Sequence, residues 1–294
     1  MVQRGLHVNP YITGPVRESE DLMVRRCGIK VVRTEHGFEH EDGHLPGWFT
    51  PACDRLASLG RTVLVTRVRK DGDEQKGREQ LVTLRRAYNR ALKTYAGTIR
   101  TAKIINVLDN EIGFGADSDR PNWTDKDYVA RLKTEQEARR QMFPGIPILG
   151  PALGSFWEPG MDFLTELGYR GDSLNIAYES GFFEKGDPIA INQYGPNSIK
   201  LIAAAASIWE WGFDIAVTEF GGLDHGGPAS AEIWEEIKNL DLPFACYFDS
   251  YDASTKKDRL MNSDGRWLKN ARPLVRAWSS ASVKPYGGTW AQTV

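Results

Sequence analysis

Short apolar runs of strand length alternate along the chain with longer segments whose apolar residues recur every three or four positions, the pattern of βα units around a parallel sheet. The runs fall at 5–12, 29–34, 62–68, 103–108, 146–149, 173–178, 214–218 and 243–248. Eight such runs predict a (β/α)8 TIM barrel. Between them, Leu81, Leu84, Tyr88, Leu92 and Tyr95 make one helical stripe, and Ile233, Trp234, Ile237 and Leu240 make another. A further helix starts at the capping pair Thr124-Asp125 and turns Tyr128, Val129 and Leu132 inward. Less regular segments at 16–27, 51–59 and 161–167 are further helix candidates, and Gly28, Gly60, Gly97, Gly168 and Gly212 stand where helix C-caps would precede the next strand. No linker, low-complexity tract or internal repeat interrupts the alternation, so the expectation is a single (β/α)8 domain over 1–294, with 279–294 as a surface tail.

Composition narrows the partners. Basic and acidic side chains number 37 and 39, a net charge of −2, so no strong field draws the chain to nucleic acid or to an anionic membrane. No apolar run is long enough to span a bilayer, and the N-terminus has no signal-peptide core. The chain as given reads as a soluble monomer, either cytoplasmic or secreted with its leader removed. Cys27, Cys53 and Cys246 are odd in number and far apart, which specifies neither a disulfide scaffold nor a zinc knuckle; Cys27 and Cys246 sit in apolar contexts and read as buried thiols. The many aromatic residues suit core packing and, at a barrel mouth, stacking on flat apolar ligand faces.

Two carboxylates carry the candidate chemistry. Asn110-Glu111 follows the fourth apolar run, and Glu219 ends the seventh in Val217-Thr218-Glu219-Phe220-Gly221. In a barrel both would face the C-terminal mouth from different sides, where catalytic groups are held on strand ends. Cleavage of a glycosidic bond needs such a pair: one carboxylic acid protonates the departing oxygen while a second carboxylate attacks the anomeric carbon or activates water. A separation of about 5 Å makes the second group a nucleophile, and roughly 6.5–9.5 Å leaves room for water.

On these residues the chain resembles the clan-A retaining glycoside hydrolases, a large (β/α)8 group that includes cellulases, mannanases and β-xylosidases. The resemblance implies that Glu111 is the acid/base, Asn110 the ligand of the sugar hydroxyl beside the anomeric centre, and Glu219 the nucleophile. It also implies that Arg33, closing Val31-Val32-Arg33, lies near the nucleophile. It extends over essentially the whole barrel in order and spacing, although its motifs are short. Where the family often has a His and a Tyr near the end of strand six, this chain has Ala177-Tyr178, and Tyr194 in Asn192-Gln193-Tyr194-Gly195 is a second candidate to support the nucleophile. Where the family has a Trp ending strand eight, Tyr247 is the candidate sugar platform. The implied substrate is a β-linked glycan or oligosaccharide, cleaved by double displacement without cofactor or metal.

His36, His40 and His44 recur at four-residue steps among Glu35, Glu39, Glu41 and Asp42. Gly37, Gly43 and Pro46 argue against a helix, so the segment reads as a polar loop rimming the same mouth, with His36 as a sugar contact. Trp48 on this loop and Trp157 after the fifth run are candidate stacking platforms. A metal-dependent barrel hydrolase built on this histidine loop and a non-catalytic carbohydrate-binding barrel remain as alternatives, since barrel architecture hosts many chemistries.

Overall fold

The apolar runs pair side by side, all parallel, in the computed structural model, which describes residues 2–9, 12–36, 55–56, 58–66, 105–107, 126–142, 148–150, 152, 178–183, 188–194, 208–221, 226–249, 259–269 and 271–280. The strands are β1 (Gln3–His7), β2 (Val31–His36), β3 (Arg61–Thr66), β4 (Ile105–Val107), β5 (Ile148–Leu149), β6 (Ile189–Tyr194), β7 (Ile215–Gly221) and β8 (Phe244–Tyr247). Their spatial order is β5-β4-β3-β2-β1-β8-β7-β6. The pairing of the first strand with the last, Gly5 opposite Cys246 and Leu6 opposite Tyr247, wraps the sheet into the (β/α)8 barrel.

Seven of these strands overlap the expected runs, and the sixth does not. It lies at Ile189–Tyr194, downstream of the expected 173–178, of which residues 173–177 lie outside the described residues, and pairs with β7 from Ile189 opposite Ile215 to Tyr194 opposite Gly221. Tyr178, expected at the mouth end of this strand, instead sits in a helical turn.

Among the described residues four long helices accompany the strands: α1 (Gly14–Arg26), α2 (Lys126–Met142), α3 (Gly226–Ile237) and α4 (Ala271–Ser280). The first begins with proline at its N-terminal turn, where the missing N–H costs nothing, and ends near Gly28 at φ 62°. The stripe Ile233, Trp234 and Ile237 of α3 is fully buried, as its spacing predicts. Helix α4 was not among the expected helices and lies almost wholly before the expected tail at 279–294. Its Ala271, Leu274 and Trp278, three and four residues apart, are nonetheless buried to within 1 % exposure, and residues 281–294 of that tail lie outside the described residues. The stripe read at 81–95 also lies outside them.

Two separate apolar layers show which way each strand residue points. Leu6, Val32, Ile189, Ile191, Ile215, Val217, Ala245 and Tyr247 share one cluster with Trp234, Leu274 and Trp278 of the helices, so they face outward from the sheet. Val31, Ala190, Ala216, Phe244 and Cys246 form a second cluster that fills the barrel interior. The inner residues on β1 are therefore Gly5 and His7, flanking outward Leu6. Gly5 has no room for a side chain: a Cβ there would lie 2.3 Å from Cys246 Sγ and 2.9 Å from the Ala245 carbonyl oxygen. Complete burial pushes the Cys246 thiol up to about 12, with Arg33 pulling it down and Glu219 pushing it up, which sets both charges close above the apolar plug. Cys27 is buried as its sequence context implied.

Candidate active site at the C-terminal strand ends

Inner-facing alternation, continued one step above the apolar plug, brings His7 on β1, Arg33 on β2 and Glu219 on β7 toward one another. His7 and Arg33 are register partners in adjacent strands. Glu219 reaches them from across β1 and β8, and its Oε1 accepts a hydrogen bond and an ion pair from Arg33 Nη2. Arg33 is fully buried and Glu219 only 2 % exposed, so the pair stands in a medium of low dielectric, where the attraction between the two charges is strong. Arg33 thus pairs with Glu219.

A β-bulge aims Glu219 inward. Val217 pairs with Ile191 and Glu219 with Asn192, so Thr218 is an extra residue on β7; the β8 side shows the same slip, with Val217 opposite Ala245 and Phe220 opposite Tyr247. Without it, the two-residue period would turn Glu219 outward, onto the side of Val217. Thr218 Oγ1 lies 2.7 Å from Asn192 Oδ1 and 3.2 Å from the Ile191 carbonyl, tying the bulge to β6. Beyond the bulge Phe220 returns to the outer face, packing edge-on against Tyr247 at 5.4 Å and stacking on Trp234 at 6.1 Å.

Phe248 closes the fourth side. Its N–H donates to the Phe220 carbonyl at 2.9 Å, its ring meets the His7 ring edge-on at 4.8 Å, and the Arg33 guanidinium carbon stands 5.7 Å from its centroid. His7, Asn192 and Phe248 escape sequence reasoning for one reason: none is a carboxylate or follows a recognised motif. The usable signal for His7 was its parity with Gly5 in an apolar strand.

Below the rim, Arg55 braces the β1–α1 connection. Its guanidinium donates to Glu20 Oε2 at 2.6 Å, to Asp21 Oδ1 at 2.9 and 3.0 Å, and to the Asn9 carbonyl at 3.0 Å, while the Asn9 N–H donates to Glu20 Oε1 at 3.4 Å. Arg55 and Glu20 are nearly fully buried, so the segment leaving His7 is held on both its N–H and its C=O.

Two residues expected at the mouth, Tyr178 as a support for the nucleophile and Tyr247 as a sugar platform, lie elsewhere. Tyr178 stacks on Trp211 at 4.2 Å and 13°, and edge-on against Phe213 at 6.3 Å, both of which precede β7. Six residues of extended chain separate Phe213 from Glu219, about 20 Å, so Tyr178 belongs to the opposite end of the barrel. Tyr247 is fully buried on the outer face against Phe220 and Trp278, with Ser230 Oγ at 3.4 Å from its hydroxyl. Removing that hydroxyl in Tyr247→Phe is expected to cost at most about 1 kcal/mol of stability and to leave KM for any ligand at the mouth unchanged, measured by thermal unfolding and steady-state kinetics.

Of the remaining candidates, Asn110, Glu111, His40, His44, Trp48 and Trp157 lie outside the described residues, as do the side chains of His36 and Tyr194. The described backbone of β4 ends at Val107, three residues before Asn110, and β6 ends at Tyr194. Among the described residues no cluster of metal-ligating side chains occurs, and no helix is long and apolar enough to cross a membrane.

No protein-family model matches the chain, and no curated protein matches it in sequence. Solved structures do match in fold. An endo-1,4-β-D-mannanase from Thermotoga petrophila RKU-1 superposes with a TM-score of 0.61 at 13 % identity, over 95 % of this chain and 99 % of that one. A broad-specificity endoglucanase from an uncultured bovine rumen ciliate gives 0.62 at 10 % identity, over 94 % and 96 %. The catalytic domain of a β-amylase from Paenibacillus polymyxa gives 0.62 at 10 % identity, over 97 % and 99 %. The chain shares the barrel fold of these glycoside hydrolases along nearly its whole length.

Proposed function

We propose that the protein is a retaining glycoside hydrolase acting on a β-linked glycan or oligosaccharide, with Glu219 as nucleophile and Glu111 as acid/base. The observation that carries the reading is the buried Arg33–Glu219 pair on the C-terminal ends of β2 and β7. A carboxylate held against a buried guanidinium is charged and fixed in direction, the two properties a glycosyl nucleophile needs. The fold shared with a mannanase and an endoglucanase supports it.

In the first step a Glu219 oxygen attacks the anomeric carbon from the face opposite the leaving group, as Glu111 gives its proton to the departing oxygen. A covalent glycosyl ester on Glu219 results. In the second step Glu111 takes a proton from water, which attacks the same carbon and releases Glu219 as the carboxylate; two inversions retain the configuration. Asn110 binds the hydroxyl next to the anomeric centre. Tyr194, at the end of β6, is the tyrosine for the supporting role rather than Tyr178. Phe248 takes the aromatic place at the end of strand eight that Tyr247 was expected to fill. The anomeric form of the first product from a panel of aryl glycosides and β-glucans or mannans, followed by NMR, tests this reading.

A further inference from the structure

The Arg33 guanidinium is shared between two acceptors. Nη2 serves Glu219, while Nη1 lies 2.6 Å from His7 Nδ1. A guanidinium carries five donors and no acceptor, so a hydrogen bond at this distance requires a lone pair on His7 Nδ1. We propose that His7 is a positioning residue that orients Arg33 toward Glu219, and that it does so as the neutral imidazole with its proton on Nε2. The kinetic part of this inference rests on the glycosidase reading of Glu219; the tautomer does not.

Three observations make the contact a positioning device rather than a chance neighbour. His7 and Arg33 are register partners on paired strands, so the backbone ladder fixes the separation of their Cα atoms. The Phe248 ring packs against both groups, which limits rotation of the imidazole and tilting of the guanidinium. The connection that follows His7 is clamped at Asn9 by Glu20 and Arg55, so β1 cannot easily withdraw the histidine. Arg33 has a long flexible stem, and a second acceptor on its other terminal nitrogen selects one rotation of the fork. With Nη1 anchored at His7, Nη2 is presented to one oxygen of Glu219, which leaves the orientation of the carboxylate set from the β1–β2 side. A protonated His7 would set one N–H against another and cancel the contact.

The test combines spectroscopy with paired substitutions in the full-length chain. In protein labelled with ¹⁵N at histidine, the His7 ring is expected at pH 7 as a neutral imidazole with Nε2 protonated and Nδ1 accepting, and Arg33→Met is expected to shift that Nδ1 resonance. His7→Phe keeps a ring but removes the acceptor, and is expected to lower kcat about 10- to 100-fold on an activated aryl glycoside, with KM within about twofold. His7→Asn places a carbonyl oxygen near the Nδ1 position, and is expected to recover kcat to within about threefold of the parent. A proton on Nδ1 at pH 7, or equal loss of kcat in folded His7→Asn and His7→Phe, overturns the proposal. If the parent turns over no glycoside, the reading of Glu219 fails, and the ring resonances alone decide the role of His7.

Discussion

Glu219→Ala is expected to lower kcat on an activated aryl glycoside by at least about 10⁴-fold, because removal of a covalent nucleophile removes the reaction path rather than one contact. The substitution also empties a space directly beside Arg33, to which the parent carboxylate is ion-paired. Azide is small and anionic, so it is expected to enter that space, attack the anomeric carbon and restore part of the rate. The product is then a glycosyl azide of configuration opposite to the substrate, since only one displacement has occurred. Glu111→Ala is expected to behave differently: the glycosyl ester still forms when the leaving group is good, and azide then gives a product of unchanged configuration. The pair of stereochemical outcomes assigns the two roles. Absence of any azide product from the Glu219 variant, with activity only modestly reduced, would remove Glu219 from the mechanism.

The second large effect is on stability. Arg33→Met leaves Glu219 buried without its cation, a change expected to cost about 3–5 kcal/mol in unfolding free energy. Combining it with Glu219→Leu removes both charges, and the double variant is expected to be more stable than Arg33→Met alone, although inactive. Denaturant unfolding of the four proteins measures this directly. An Arg33→Met protein as stable as the parent would mean that the guanidinium does not compensate the carboxylate. Arg33→Lys is not expected to rescue function, because one ammonium cannot span His7 and Glu219 as the two ends of a fork do.

Apolar runs between turn residues exposed seven of the eight strands, because parallel strands covered on both faces read as continuous hydrophobic segments. That same continuity hid the direction of individual side chains. Tyr247 lies next to Cys246 in such a run, and nothing in Phe244-Ala245-Cys246-Tyr247 says which of the two faces the interior. The packing decides: Cys246 fills the plug below Arg33 and Glu219, which turns Tyr247 toward Trp278. The sixth strand was not separable by pattern, because 173–178 and 189–194 each hold four apolar residues in six, so hydrophobicity alone does not rank one above the other.

Arg33 and Glu219 were legible for the opposite reason. A lone charge at the end of an apolar strand must find a partner or reach solvent, and each is the other's partner. The bulge at Thr218 left no trace in composition, although it determines that Glu219 turns inward. His7 was not legible in the sequence as a partner of Arg33, because that contact depends on the register of β1 with β2.

The central claim is a double displacement at Glu219, and the most direct measurement is the mass of the enzyme after reaction with activated 2-deoxy-2-fluoro glycosides, whose first step outpaces the second. The mechanism predicts a gain of one fluoroglycosyl group, mapped by peptide sequencing to Glu219, together with first-formed products of retained configuration from the parent substrate. Hydrolysis with inverted configuration, or an adduct on any other carboxylate, would contradict it.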